Sequence, residues 1–391
     1  MDVIVGLGRA ESTWRALEER FVASPYQRFD WVQAYAGSHG VADSDIALVL
    51  IAGDGETVAA MPLQITRRFG LTVAQMPSSE IGNTDFLMID PARAGEATAE
   101  AVRSALNSAS LAIGRLDLVL LRNQPARWEG IANPLLAFPY QEAPDVFYLS
   151  ESRPGTERLS SKRLRNLQRG RRRLEELLGP VMLKRATTGA EIERYHAAFL
   201  EQRGERFRQQ GIRNIFAEER FRSLFRDGAT ASLASERPAL ALHALMAGDT
   251  IVATCFGTYA RTHYSQYINS ICDGPAARFS LMGILLHDLV EELGGQGIRS
   301  FDMGIGAFDY KVDWTEQTPV FDGMIALSPA GHFLGRAIMA ERAARRRIKT
   351  DPRLWSLAKA LRGRWTSLLG GSAGRETFNP ATDAKDRGDD G

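Results

Sequence analysis

The same order of predicted elements occurs twice along this chain of 391 residues. Apolar alternation and turn residues predict, in the first half, strands at 46–52, 57–65 and 71–76, a helix at 96–113 and a strand at 116–121. The second half repeats this order, with elements predicted at 239–246, 251–259, 262–271, 280–293 and 298–303. Two such units predict an α+β fold with mixed, mostly antiparallel sheets.

The two halves also share residue letters. The sequence ALVLIAGD at 47–54 resembles LHALMAGD at 242–249. We interpret this as an internal duplication, although any two unrelated hairpins can look alike at this level. Two helices are predicted before the first strand, at 12–22 with Ser12 as N-cap and at 30–35.

Composition indicates an ordinary globular chain and excludes several functional classes. Hydrophobic residues make up 44%, and the formal net charge is only +1, so no DNA partner is expected. The two cysteines and six histidines show no metal-ligand spacing, so no metal is expected. Because the N-terminus lacks a signal-like segment and no apolar run is long enough to span a bilayer, the sequence predicts a cytoplasmic protein.

Basic residues concentrate between the halves. Residues 158–173 contain eight Lys or Arg and no acid, and the leucines from Leu164 to Leu178 lie roughly on one helix face. This stretch is a candidate surface for an anionic substrate, an adenosine 3′-phosphate, a membrane or cyclic di-GMP, and a solvated helix face is the alternative. The predicted organisation is a first domain at 1–150, a second at 151–335, a basic helical tail at 336–370 and a disordered tail at 371–391.

A loop rich in small residues precedes the helix of the second half. Free N–H groups at a helix start bind anions, and an arginine adds a charged contact. The alternative is a helix whose N-cap is Ser280. The predicted cofactor-binding residues are Arg278, Ser280, Leu281, Met282 and Gly283.

Two further segments carry candidate site residues. After the last strand, Asp302 is a candidate base, Tyr310 a candidate acid and Lys311 a candidate phosphate or carboxylate contact. His243 is a second candidate base, although a lone histidine on a strand is more often a core residue. The alternatives are Asp302 as a turn cap, and Tyr310 and Trp314 as core aromatics with polar tips. The predicted substrate-binding residues are Arg203, Glu205, Arg206 and Trp314.

Several motifs together resemble the CelD-type acetyltransferases of the GNAT superfamily. They are SPYQ at 24–27, KRLRN at 162–166, the segment at 203–211, SLMG at 280–283 and FDMGIGAFDYK at 301–311. The resemblance implies two tandem GNAT-like domains, an acyl-CoA diphosphate bound by the loop before Gly283, and acetylation of an amino sugar or precursor in exopolysaccharide or cellulose biosynthesis. The chain departs from the family at Ala307 and Phe308, where acidic residues are usual.

The resemblance leaves three functions open. The first is an N-acyltransferase that uses acetyl-CoA or another acyl-CoA and a small-molecule or saccharide acceptor. The second is a transferase similar to the Fem type, which would use aminoacyl-tRNA and lose activity steeply with salt. The third is a non-catalytic protein that binds a nucleotide such as cyclic di-GMP through its arginine runs.

Overall fold

Residues 3–210, 213–351, 353 and 354 are described by the computed structural model. The helices are α1 (Leu7–Glu18), α2 (Phe29–His39), α3 (Ala99–Ile113), α4 (Ser161–Leu178), α5 (Gly189–Gln210), α6 (Glu219–Ala231), α7 (Leu281–Gly295) and α8 (Pro329–Thr350). The strands are β1 (Val3–Val5), β2 (Ile46–Gly53), β3 (Glu56–Arg68), β4 (Leu71–Gln75), β5 (Met88–Ile89), β6 (Leu118–Pro125), β7 (Arg127–Trp128), β8 (Ile131–Ala132), β9 (Tyr140–Glu142), β10 (Phe147–Ser150), β11 (Val181–Arg185), β12 (Ala241–Ala247), β13 (Thr250–Tyr259), β14 (His263–Ile271), β15 (Ser300–Ile305), β16 (Glu316–Thr318) and β17 (Val320–Ala326).

The predicted repeat of elements is confirmed. In the first half, β2, β3 and β4 are antiparallel neighbours, and β6, which follows α3, pairs in parallel with β4. In the second half, β12, β13 and β14 are antiparallel neighbours, and β15, which follows α7, pairs in parallel with β14. The fold is therefore α+β, with the same unit present twice.

The predicted cap of the first helix is wrong. The helix α1 begins at Leu7, directly after Gly6, whose φ of 102° ends the preceding strand. Ser12 lies inside the helix because the apolar stripe starts earlier than the predicted one, and Leu7, Trp14 and Leu17 all face the core.

Each sheet contains a strand from the other side of residue 150. The first sheet has the order β1-β2-β3-β4-β6-β17-β9, and the second has the order β11-β12-β13-β14-β15-β10-β16. The strand β17 pairs with β6, and β10 pairs with β15. The boundaries at 150 and 335 stay predictions, but each half completes its sheet with a strand that belongs to the other part of the chain.

The two halves share one hydrophobic core. Helices α1 and α2 of the first half and helices α5 and α6 of the second contribute side chains to the same cluster. Its aromatic centre includes Trp31, whose ring centroid lies 5.0 Å from Tyr26 and 5.5 Å from Tyr267. Phe225 contacts the same Tyr267 ring at 5.8 Å. Helices α4 and α7 cover the opposite face of the second sheet.

Helix α8 packs across the first sheet, where Leu334 and Ile338 contact Leu118 and Met324. The predicted basic tail at 336–370 begins inside this helix. Its part beyond residue 354 and the predicted tail at 371–391 lie outside the described residues. Among the helices of the described ranges, none has the length and apolar character needed to cross a membrane.

We predict that Gly331→Ala destabilises the protein because α8 approaches the sheet closely at this point. A Cβ at residue 331 would lie 1.9 Å from the carbonyl oxygen of Asp117. Relieving such a clash costs about 1–3 kcal/mol, and thermal or urea unfolding measures it. Gly37→Ala in α2 is the matched control, since a Cβ there meets nothing within 4 Å. It should stabilise the protein by about 0.5–1 kcal/mol, and equal effects of the two variants would contradict the close approach.

Candidate functional site

Strands β14 and β15 run side by side only at their starts. Residues 263–265 pair in parallel with residues 300–302. Beyond these residues β14 stays bonded to β13, and β15 stays bonded to β10 on its other side, where Ile305 lies opposite Phe147. The strands therefore separate, and residues 266–271 present a backbone edge that β15 does not cover.

Asp302 lies where the strands separate, and its side chain is fully buried. Its carboxylate accepts hydrogen bonds from His263 Nε2 at 2.7 Å, Ser265 Oγ at 2.8 Å and the N–H of Gly304 at 2.7 Å. Ser300 Oγ lies 2.7 Å from the other ring nitrogen of His263. Because a buried carboxylate needs such donors, this network fixes the turn that leaves β15.

Two side chains of the first half complete the network. Ser265 already donates to the carboxylate, so the Tyr26 hydroxyl, 2.7 Å away, donates to Ser265. Tyr26 Oη in turn accepts from Asn83 Nδ2 at 2.7 Å, and Asn83 Oδ1 accepts a long hydrogen bond of 3.5 Å from the N–H of Ile305. A Cβ on Gly304 would lie 2.5 Å from Asn83 Nδ2, so the glycine makes room for this contact. The N–H of Gly304 is thus held by Asp302 of the second half, and the next N–H, that of Ile305, is held by Asn83 of the first half.

Tyr310 follows this turn, on a short 3₁₀ helix at Asp309–Asp313. Its hydroxyl accepts a hydrogen bond of 3.0 Å from Asn269 Nδ2 on β14, so it reaches across the strand separation. Burial raises the pKa of Tyr310, an effect that the bond from Asn269 and the charge of Arg203 partly offset. Arg203 is buried and donates to the carbonyl oxygen of Asn269 at 3.1 Å. The structure therefore brings Tyr310 and Arg203 together around Asn269.

Lys311 points inward. Its Nζ donates to the carbonyl oxygens of Ile305 at 3.0 Å and Gly306 at 3.2 Å, and it lies 5.0 Å from the centre of the Tyr148 ring. Burial lowers the pKa of Lys311 to about 7, against a smaller opposing effect of Asp302. The amine in this position braces the turn between β15 and Tyr310, and its predicted contact with a phosphate or carboxylate stays a prediction.

The start of α7 has no side-chain cap. Ser280 lies at its N-cap position with a φ of 54°, and its hydroxyl makes no capping hydrogen bond, so the alternative interpretation of Ser280 as a capping side chain is wrong. The first described N–H bond of this helix to the preceding turn is that of Ile284 to the carbonyl of Ser280. Leu281 and Gly283 are buried, Met282 is partly exposed, and Arg278 is exposed beside Phe279. The N–H groups of residues 281–283 suit an anion.

Helix α4 lies over the start of α7. A Cβ on Gly283 would come within 2.7 Å of Leu167 Cδ2 and 3.5 Å of an Arg163 nitrogen. The lack of a side chain at residue 283 therefore lets α4 pack closely against α7. Arg163 also pairs with Asp313 at 3.1 Å. The predicted apolar face of α4 is confirmed by the burial of Leu167 and Leu174. Its opposite face is cationic and exposed, at Lys162, Arg165, Arg169, Arg172 and Arg173.

Trp314 belongs to the core cluster on the α7 side of the second sheet, and His243 lies on the same face of that sheet. His243 is fully buried, neither ring nitrogen has a hydrogen-bond partner in the described part of the chain, and its nearest aromatic neighbour is Tyr264 at 6.2 Å. Burial lowers the pKa of His243 to about 3, with a smaller effect from Arg185. Trp314 is 3% exposed within the same cluster as Tyr264. The environment of His243 suits a neutral core residue.

The two remaining predicted substrate residues lie further along α5. Glu205 pairs with Arg208 and accepts a hydrogen bond of 3.1 Å from Gln209. Arg206 is half-buried, and its charge lowers the pKa of Tyr310, although less than that of Arg203 does. Gly211, the last residue of the motif at 203–211, lies outside the described residues.

Four members of the buried network were not predicted as site residues: Tyr26, Asn83, His263 and Ser265. Alternation along residues 262–271 places His263 and Ser265 on one face of a strand, which was the available signal. Within the described ranges, no group of three or more His, Cys, Asp or Glu residues is arranged to hold a metal ion.

Residues 161–312 match the model of a family described as an acetyltransferase (GNAT) domain. This span contains the strand separation, the start of α7 and Tyr310, so these features lie in the part of the chain that is similar to a GNAT domain. No curated protein matches the chain at a significant level.

Two solved structures are similar over nearly their full length. FemX is 9% identical, with a TM-score of 0.59 and coverage of 87% of this chain and 100% of that one. A conserved protein of unknown function from Bacteroides thetaiotaomicron is 12% identical, with a TM-score of 0.53 and coverage of 83% and 98%. At such identities the similarity concerns the fold alone. It extends over both halves, in accordance with a tandem arrangement of GNAT-like units.

We predict that Tyr26→Phe loosens the turn after β15, because it removes the donor to Ser265. The loss of one buried hydrogen bond costs about 1–2 kcal/mol, which corresponds to about tenfold faster amide exchange at Gly304 and Ile305 if these amides exchange through local opening. Hydrogen exchange with mass spectrometry measures this. Tyr35→Phe is the control, since that hydroxyl bonds Gln64 within the first half at 3.4 Å. Unchanged exchange at 304 and 305 would contradict the assigned network.

We predict that His243 makes the protein acid-sensitive. Its folded pKa lies below the unfolded value of about 6.5, so the unfolded state takes up the proton first and stability falls as the pH drops from 6.5 toward 3. The slope is about 1.4 kcal/mol per pH unit for this one group. His243→Leu should flatten the urea-unfolding free energy between pH 6.5 and 4.5. The same substitution at the exposed His332 should leave the slope unchanged, and equal slopes in wild type and His243→Leu would refute the assignment.

Proposed function

We propose that this protein transfers an acyl group, most simply the acetyl group of acetyl-CoA, to an amine. The observation that carries the proposal is the separation of β14 and β15, across which Asn269 bonds the hydroxyl of Tyr310, together with the start of α7, where no capping side chain is found among the described residues. It falls within the part of the chain that matches a GNAT domain. In this arrangement a donor thioester and an acid can meet beside an uncovered strand edge.

The donor is bound by its diphosphate at the start of α7. The N–H groups of residues 281–283 face an anion with the positive end of the helix dipole behind them. Arg278 is exposed next to them and adds a charged contact. Arg163 of α4 lies beside Gly283, so the cationic helix closes this end of the donor site.

Transfer needs an oxyanion donor and an acid. The amine nitrogen bonds to the thioester carbon, the C–S bond breaks, and the sulfur leaves as a thiolate. Backbone N–H groups of residues 266–271 stabilise the negative oxygen during this exchange. Tyr310 gives its proton to the sulfur, and because burial raises its pKa the hydroxyl is protonated at neutral pH. The amine loses its proton to water, and the Tyr310 phenolate takes a proton back from water, so the acid is restored. Asp302 acts by positioning the end of β15 that leads to Tyr310.

The acceptor we propose is an amino sugar or a related precursor of a bacterial exopolysaccharide. The resemblance of the motifs at 162–166 and 301–311 to CelD-type acetyltransferases supports this choice. Arg203 and Arg206 approach Tyr310 from α5, on the side of the sheet that faces the first half. They suit hydroxyl and acidic groups of such an acceptor.

An aminoacyl-tRNA-dependent transferase is the second candidate. The observation in its favour is the exposed face of α4, which has Lys162, Arg165 and Arg169 in one stripe. A polyanionic donor bound there would make activity fall by several orders of magnitude between low and high salt. Acyl-CoA-dependent transfer would show a much weaker dependence.

We predict that Tyr310→Phe lowers kcat about 100-fold and changes the KM for acetyl-CoA less than threefold, because the phenol acts on the leaving group only during transfer. Thiol release with a panel of amino sugars measures both constants. Tyr140→Phe, at an exposed tyrosine of β9, is the control. If calorimetric titration of the folded protein shows no binding of acetyl-CoA or longer acyl-CoAs, the proposed donor is wrong.

A further inference from the structure

The first half contains its own strand separation. Residues 73–75 of β4 pair in parallel with residues 118–120 of β6, after which β4 ends and β6 continues to Pro125. Arg122 lies two residues beyond Leu120 and so on the same face of the sheet, the face on which Leu118 and Leu120 pack together. The first half thus places an arginine where the corresponding strands of the second half diverge.

The side chain of Arg122 is partly buried, yet its guanidinium forms no ion pair within 4.0 Å and no hydrogen bond with the described residues. Glu80 and Asp322 are acids whose charges raise its pKa, and each is held by another arginine. Asp322 pairs with Arg342, and Glu80 lies 3.5 Å from Arg68. Burial lowers the pKa of Arg122, and the charge of Arg342 contributes further. Cations in this cluster therefore outnumber the acids by one.

Asp85 does not neutralise this excess fully. Burial raises its pKa to about 7, so a large fraction of its carboxyl groups carries a proton at neutral pH. Its oxygens are bonded to Ser79 and to Gln27 Nε2, the latter at 3.1 Å. Arg122 influences Asp85 only through the longer-range charge interaction.

A second polar group beside Arg122 lacks its usual partners. Gln75 is 5% exposed, and its side-chain amide makes no hydrogen bond with the described residues. It is the register partner of Leu120, so it lies on the face that carries Arg122. Buried amides are nearly always hydrogen-bonded, and an arginine is rarely buried without an anion. An oxyanion accepts from the guanidinium of Arg122 and from Nε2 of Gln75, and it leaves Gln75 Oε1, which is itself an acceptor, without a partner among the described residues.

We propose that Arg122 and Gln75 form a binding site for a singly charged oxyanion, a carboxylate or phosphate group of the acceptor. The planar guanidinium of Arg122 donates to two oxygens of such a group. Nε2 of Gln75 donates to one of these oxygens or, in a phosphate, to another one. The inference rests on the proposed function for its identification of the ligand as the acceptor. The loop at 76–87 supports this link. The charge of Arg122 lowers the pKa of Asp85 in this loop, and Asn83 of the same loop lies against Gly304 at the transfer site.

The test is the binding of sodium acetate and of inorganic phosphate to the full chain, each compared with chloride at equal ionic strength. At a tenfold excess over Kd, the bound anion should raise the unfolding midpoint of the wild type by about 1–3 °C. Arg122→Met should weaken binding at least tenfold, and its own midpoint without ligand should be equal or higher, because a partly buried cation without a counter-ion is removed. Gln75→Leu should also weaken binding.

Two variants keep the test sharp. Arg67→Met removes the same charge from an exposed site of the first half and should bind the anion like the wild type, whereas Arg122→Lys should retain part of the affinity. The stronger of the two anions identifies the acidic group of the acceptor. The site is overturned if neither anion binds the wild type, or if Arg122→Met binds the anion as tightly as the wild type does. The binding test measures no acyl transfer, so its outcome is independent of the transfer assay. A protein that binds the anion but transfers no acyl group in that separate assay would refute the proposed function and leave this site standing.

Discussion

The buried carboxylate of Asp302 connects the geometry of the second half to the presence of the first. It needs three donors to be stable without solvent; two of them are side chains of β14, and the third is the N–H of Gly304 near the end of β15. The donor Ser265 is itself held by Tyr26, a residue 239 positions earlier. The point where the strands diverge is therefore defined by contacts that only the assembled halves can provide.

This dependence extends to the sheets and the core. Because β10 and β17 each complete the sheet of the other half, neither GNAT-like unit satisfies its backbone groups alone. The aromatic cluster around Trp31 and Tyr267 adds a shared apolar interface. The first half is consequently a structural part of the strand separation between β14 and β15, even though the start of α7 and Tyr310 both lie in the second half.

Much of the fold was predictable from local patterns. Alternation and turn residues predicted the strands of both units and their order, because apolar and polar residues alternate along a strand that is buried on one face. The start of α1 was missed because its apolar stripe begins before Ser12, and the conformation of Ser280 was missed because a positive φ is unusual for serine. The strand exchange and the contacts of Tyr26 join distant segments, and no local pattern encodes them. At the site, the sequence predicted Asp302 and Tyr310 as candidates, but their roles stay predictions.

The exchange of β17 sets an order of events during synthesis. Asn123 at the end of β6 and Asp322 in β17 are hydrogen-bonded although 199 residues separate them. At about 5–20 residues per second, the ribosome needs about 10–40 s to make the chain between them. For that time β6 is an exposed edge strand in the nascent chain, and such edges attract other strands. The first sheet, although encoded first, is closed only after nearly the whole of the second has emerged.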